Sequence, residues 1–68
     1  MHGQVRVYDV VTEHIGRTEA VLHCPTRRAQ VRVKRALVAQ GYAVVRLRVV
    51  KLPASMRIAW IDAPGDGR

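Results

Sequence analysis

Hydrophobic and polar positions alternate along the first third of the chain. Residues 4–13 and residues 18–24 both show the period of two that is typical of β-strands, and Gly16 lies between them. The two segments therefore predict an antiparallel hairpin that turns at residues 14–17.

The pattern then changes to a helical period. Pro25 ends the second strand, Thr26 is a favourable N-cap, and Gly41 suits the position after the last helical turn, so a helix is predicted over residues 27–40. Its narrow apolar stripe, predicted to face the core, consists of Ala29, Val33, Ala36, Leu37 and Gln40.

Two further alternating segments follow the helix. Residues 42–52 form the strongest predicted strand, Pro53 closes it, residues 56–62 predict a final strand, and the tail 63–68 is expected to fray. The prediction is one α+β domain over residues 1–68, with an ordered body at 4–62 and the order β-β-α-β-β. A single helix covers one face of a four-stranded, mostly antiparallel sheet, and the connection around the helix is a right-handed crossover if strands two and three are parallel.

The other face of this sheet must meet solvent or a partner. We expect it to carry Arg6, Tyr8, Val10, Val21, His23, Arg46, Arg48 and Arg57. A shift of one residue in the strand register would reverse this assignment.

Composition indicates a small folded protein with a thin core. The chain is 49% hydrophobic, which argues against disorder, but a domain of 68 residues buries only about 60% of its unfolded surface. Dimerisation or a partner surface could add stability.

The single Cys24, the lack of a signal-peptide pattern and the lack of an apolar run of about 20 residues favour a reducing, cytoplasmic setting with no membrane span.

Charge restricts the class of partner. Twelve basic residues stand against five acidic ones, for a net charge of +7, and seven of the twelve lie between Arg27 and Arg48. Such a surface suits nucleic acid or an acidic protein or nucleoprotein face, and it suits a membrane less because the exposed back of the cationic helix lacks Trp, Phe and Leu for insertion. Arginine-rich coding bias and an ordinary solvated surface are the alternative explanations.

Nucleic-acid binding is the leading functional hypothesis. Cationic side chains would contact phosphates, and Tyr8 and Tyr42 could stack on unpaired bases. The element order is not that of an RRM, a KH domain or a double-stranded-RNA-binding domain. The candidate binding residues are Arg6, Tyr8, Arg27, Arg28, Arg32, Lys34, Arg35, Tyr42, Arg46 and Arg48.

Val31 and Val38 suggest a second kind of contact. They are seven residues apart and point away from the predicted core stripe, so they are either ordinary exposed valines or an apolar ridge, rimmed by positive charge, for a protein partner.

No pattern indicates catalysis, a cofactor or a metal site. There is no CxxC or HxxxH spacing, no paired carboxylates and no glycine-rich phosphate loop, so the chain is predicted to be non-enzymatic. Cys24 is expected to be a small core residue, and Asp9 an edge-strand charge or the ion-pair partner of a nearby arginine.

The segments TEAVLHCPT, RRAQVRVKRALVAQG, YAVVRLRVV and MRIAW together resemble the plan of very small phage and mobile-element inhibitors of the anti-CRISPR type, over residues 4–62. In those proteins a single helix lies on an antiparallel sheet. The resemblance implies stoichiometric inhibition by occluding an effector complex, and it assigns no functional residue.

Overall fold

The protein is an α+β domain with one helix packed on a sheet. The computed structural model describes residues 3–61. Its elements are β1 (Gln4–His14), β2 (Arg17–Cys24), α1 (Arg27–Ala39) and β3 (Val44–Pro53). The hairpin, the helix and the strand after it are confirmed, each within two residues of its predicted bounds.

The predicted four-stranded sheet is wrong. Over residues 3–61 the sheet has three strands in the order β2-β1-β3, and β1 is antiparallel to both neighbours. The element order is therefore β-β-α-β. Because β2 and β3 both run opposite to β1, they are parallel to each other, with β1 between them.

The predicted last strand, residues 56–62, is reduced to one parallel bridge between Trp60 and His23. After β3 the chain turns, with the Met56 amide donating to the Pro53 carbonyl at 2.9 Å, and it then reaches the outer edge of β2 on the far side of the sheet. Because neighbouring strands lie about 4.8 Å apart, most residues of the segment are needed to pass from β3 to the far edge of β2. Few residues are then left to pair with β2. The Ile61 amide donates to the edge of β2, at the His23 carbonyl. Residues 62–68, including the tail predicted to fray, lie outside the described residues.

Local sequence signals explain both ends of α1. The Thr26 hydroxyl oxygen accepts a hydrogen bond from the Ala29 amide at 3.1 Å. At the other end Gly41 has φ +100°, and the amides of Gly41 and Tyr42 donate to the carbonyls of Val38 and Leu37. These two bonds form a Schellman motif, for which glycine is the favoured residue.

The core lies between α1 and one face of the sheet. Val10, Cys24, Ala29 and Val33 are its buried residues, and Tyr8, Leu22, Leu37, Val45 and Ile61 pack against them. The predicted face of β1 is thus wrong, because Tyr8 and Val10 point towards the helix and not away from it. The opposite face of this central strand carries Val7, Asp9 and Val11, which are buried although α1 packs on the other face.

The helix also contacts the sheet through a buried polar residue. Gln30 donates from Nε2 to the Asp9 carbonyl at 2.9 Å and to the Arg48 carbonyl at 3.1 Å, and is almost completely buried. One side chain therefore ties α1 to both β1 and β3. The predicted stripe omitted Gln30 and included Gln40, which is an exposed C-cap.

The hairpin turn holds a strained residue. Ile15 and Gly16 have φ values of +54° and +72°, both positive as a type I′ turn requires. Isoleucine is β-branched and disfavours this region, whereas asparagine tolerates it. Ile15 is 86% exposed, so its replacement removes little packing.

Ile15→Asn is therefore expected to raise the free energy of unfolding by about 1 kcal/mol, measured by urea denaturation. Ile15→Val keeps the β-branch and should leave stability nearly unchanged. Equal stabilities for the two variants would contradict the assignment of strain to this turn.

Candidate nucleic-acid interface

The predicted cationic residues lie on two opposite sides of the molecule. Those of α1 lie on the helix layer, whereas Arg46 and Arg48 project from the uncovered face of the sheet, where Asp9, Glu13 and His23 also lie. The structure therefore does not bring the predicted binding residues together in one continuous surface.

Both arginines of β3 form ion pairs with carboxylates of β1. Arg46 donates from NH1 to Glu13 Oε2 at 2.7 Å, and Arg48 donates from Nε to Asp9 Oδ2 at 3.0 Å. These contacts confirm that Asp9 is the ion-pair partner of an arginine, but it lies on the central strand and not on an edge. The charge of each guanidinium is thus partly neutralised, and the two arginines are poorer ligands for phosphate.

Asp9 holds a second partner across the sheet. His23 Nδ1 lies 2.6 Å from Asp9 Oδ1, and the Asp9 side chain is almost fully buried whereas those of His23 and Arg48 are partly exposed. The three residues form one row across β2, β1 and β3. Because a carboxylate only accepts hydrogen bonds, His23 Nδ1 is the donor in this pair.

The helix carries a net positive charge. Residues 27–39 contain five cationic residues and no acidic one. Arg27, Arg28, Lys34 and Arg35 are exposed, and Arg32 is half-buried. Two of the cations begin the helix, where the macrodipole favours negative charge.

A groove at one end of the sheet brings together cations and an aromatic ring. It has a volume of about 540 Å³ and is lined by Gln4, Val5, Arg6, Tyr8, Pro25 and Lys51. Arg6 and Lys51 are direct cross-strand partners, an arrangement in which like charges repel. Tyr8 is half-buried against the core beside them. A bound anion would relieve the repulsion.

The same groove adjoins the start of the cationic helix. Pro25, one of its lining residues, directly precedes the N-cap Thr26, after which Arg27 and Arg28 follow. Arg6, Lys51 and the first turn of α1 thus belong to one end of the molecule.

Tyr42 lies in different surroundings. It lines a second groove together with Glu13, His14, Glu19, Gln40, Gly41 and Ala43. Two carboxylates there oppose a phosphate backbone, so the structure separates the two tyrosines that the sequence analysis grouped.

Val31 and Val38 contribute to a third groove, between α1 and β3. Its volume is about 400 Å³, and its lining is completed by Lys34, Arg35, Ala39 and Leu47. Val38 is 52% exposed and Leu47 is 39% exposed. The two valines are therefore part of an apolar depression with positive charge at its rim.

Comparison of the chain with protein-family models, curated proteins and solved structures finds no match.

The remaining chemical candidates lie apart from one another. His14 is at the hairpin turn, opposite Arg17, whereas His23 is at the other end of β2. Cys24 is buried in the core, as predicted. Within residues 3–61, no group of three or more histidine, cysteine or acidic side chains could hold a metal ion. The same part of the chain has no helix long and apolar enough to cross a bilayer.

Burial raises the pKa of the Cys24 thiol, and the nearby negative charge of Asp9 raises it further. The folded protein therefore keeps the thiol neutral at a pH at which the unfolded chain, with an ordinary thiol pKa of about 8.5, begins to ionise. Above that pH the unfolded state binds fewer protons than the folded state, so the free energy of unfolding falls as pH rises.

Urea denaturation at pH 7.5 and at pH 9.5 tests this effect. Wild type is expected to lose up to about 1.4 kcal/mol more than Cys24→Ala over the interval. Equal losses would contradict a raised thiol pKa.

Three residues important to these sites were missed by the sequence analysis. Lys51 lies opposite Arg6 on the neighbouring strand, Leu47 completes the groove beside α1, and Gln30 fixes the helix on the sheet. Alternation in the third predicted strand already placed Leu47 on one side, but only the strand pairing reveals that Lys51 lies opposite Arg6.

Proposed function

We propose that the protein is a non-enzymatic module that binds single-stranded nucleic acid at the Arg6 groove, defined by Arg6, Tyr8 and Lys51, and along the adjoining start of α1. The observation that carries this proposal is the direct pairing of two like charges, Arg6 and Lys51, beside a partly accessible tyrosine. Two cations would hold successive phosphates, and the tyrosine ring would stack on a base.

Single strands suit this groove better than a duplex. Stacking on Tyr8 needs an unpaired base, and readout of the major groove of DNA needs a helix that enters it with several base-reading side chains. Arg27 and Arg28 at the start of α1 would extend the contact along the backbone. Arg46 and Arg48 play a smaller part in the proposal, because each already holds a carboxylate.

A salt-dependent binding titration tests the proposal. The probe is a fluorescent twelve-residue oligothymidylate, and the readout is anisotropy at a series of salt concentrations. For single strands the slope of log K against log salt is about −0.7 per phosphate contact, so the double variant Arg6→Gln/Lys51→Gln should reduce the slope by about 1.4 and weaken binding. Without ligand, the variant should be at least as stable as wild type because a like-charge pair is removed.

The matched control removes two exposed cations elsewhere. Arg17 is at the hairpin turn and Arg57 follows β3, and both are exposed. Arg17→Gln/Arg57→Gln has the same net charge as the test variant and should bind nearly as tightly as wild type. Equal losses in the two double variants would show that net charge alone attracts the oligonucleotide and would overturn the proposed site.

A second candidate function is stoichiometric inhibition of an effector complex, as in the anti-CRISPR-type proteins that the sequence resembles. The groove of Val31, Val38 and Leu47 with its cationic rim favours it, because apolar area surrounded by charge is typical of protein interfaces. Nuclease treatment should not affect such binding, and Val31→Glu should abolish it. Loss of binding after nuclease treatment would instead support the nucleic-acid candidate.

A further inference from the structure

The outer edge of β3 lies beside the groove formed by Val31, Val38 and Leu47. Among residues 3–61, β3 pairs with one strand only, β1, although it is ten residues long. Its other edge therefore presents backbone amides and carbonyls that a further strand can pair with.

Side chains next to this edge differ between the two faces of the sheet. Leu47 and Val49 point to the helix side and are 39% and 47% exposed, and Leu47 lines the groove with Val31 and Val38. Arg46 and Arg48 point to the opposite side and are also exposed. In a strand added here, every second residue would face the apolar groove. The residues between them would lie next to the two guanidiniums.

We propose that the edge of β3 binds an extended segment of a partner protein in which apolar residues alternate with acidic ones. The apolar residues would lie against Leu47, Val38 and Val31, and the acidic residues would lie next to Arg46 and Arg48. Each guanidinium has five N–H donors, so one carboxylate does not saturate it. The proposal rests on the protein-binding candidate above and is independent of nucleic-acid binding.

Charge selects this occupant over a second copy of the chain. Two copies paired through β3 would bring together two protomers of net charge +7 and two sets of Arg46, Arg48 and Lys51. Like charges facing each other across strands disfavour pairing. An acidic segment has the complementary charge, and its backbone supplies the hydrogen bonds.

A pair of synthetic peptides tests the inference. The first contains five Val-Glu repeats, and the second has the same composition arranged as five valines followed by five glutamates. The alternating peptide should bind at least tenfold more tightly by isothermal titration, and amide hydrogen exchange in β3 should slow on binding. Equal affinities would show that charge alone attracts the peptides and would overturn the proposal, as would no binding at all.

Substitutions in the groove locate the site. Val38→Asn/Leu47→Asn should weaken binding of the alternating peptide at least tenfold, whereas Met56→Asn, at a residue of similar exposure outside the groove, should not change it. The double variant should bind oligothymidylate as wild type does, which separates this site from the Arg6 groove. The proposal is wrong if the double variant binds the peptide normally, or if free wild type sediments as a dimer that Val38→Asn/Leu47→Asn converts to a monomer.

Discussion

Asp9→Asn is expected to lower the free energy of unfolding by about 2 kcal/mol, because a buried carboxylate loses two charge-assisted hydrogen bonds. The substitution keeps the shape of the side chain but converts one acceptor oxygen into an NH2 group. Asp9 accepts from His23 at 2.6 Å and from Arg48 at 3.0 Å, so the neutral amide removes the negative charge that both partners contact and leaves them only one acceptor oxygen. Urea denaturation at neutral pH measures the effect.

Glu13→Gln is the matched control for Asp9→Asn. It makes the same chemical change on the same strand and the same face, at a carboxylate that pairs with Arg46. Because Arg46 is largely exposed, this pair contributes about 0–1 kcal/mol. Equal destabilisation by the two variants would contradict the structural importance of the buried row.

Gln30→Glu is expected to destabilise the protein by about 3–5 kcal/mol at neutral pH, as an uncompensated buried charge does. The Nε2 group of Gln30 donates to two backbone carbonyls, and an ionised glutamate would place acceptors against acceptors there. Burial raises the pKa of such a carboxyl group, so stability lost at neutral pH should return as pH falls and the group is protonated. Thermal denaturation at pH 7 and pH 4.5 measures this.

Gln40→Glu provides the comparison for Gln30→Glu. Gln40 is the exposed C-cap of the same helix, and a negative charge there costs about 0.3–1 kcal/mol through the helix dipole. A Gln30→Glu protein no less stable than Gln40→Glu would mean that the two hydrogen bonds do not hold α1 on the sheet.

The sequence predicted the hairpin, the helix and the strand after it well, because each of these elements has a physical cause in nearby residues. Thr26 caps the helix through its own hydroxyl, and Gly41 ends it through a φ of +100° that other residues disfavour. Alternation in residues 18–24 required only that this strand have two different faces. These features do not depend on distant parts of the chain.

The face of β1 could not be predicted because both of its faces are largely apolar. Val5, Val7 and Val11 alternate with Tyr8 and Val10, so hydrophobicity does not identify the side that the helix covers. The ion pairs decide it, since Asp9 meets His23 and Arg48 on the uncovered face. The prediction of the last strand was wrong for a related reason. Alternation within that segment does not show the distance that the chain must span between β3 and the edge of β2.

The candidate site was predictable in its charge but not in its arrangement. The excess of arginine correctly suggested cationic surfaces, and Arg6 and Tyr8 do share a groove. Grouping Arg46 and Arg48 with α1 ignored their carboxylate partners, which lie at positions 9 and 13, more than thirty residues earlier in the chain.

The most direct test of the proposed function is a heteronuclear NMR titration of the protein with the twelve-residue oligothymidylate. If single-stranded nucleic acid binds at the Arg6 groove, the largest amide shift changes should occur at Arg6, Tyr8, Lys51 and residues 26–28, with little change at Arg46 and Arg48. Changes centred on Arg46 and Arg48, or spread evenly over all the cationic residues, would contradict the account.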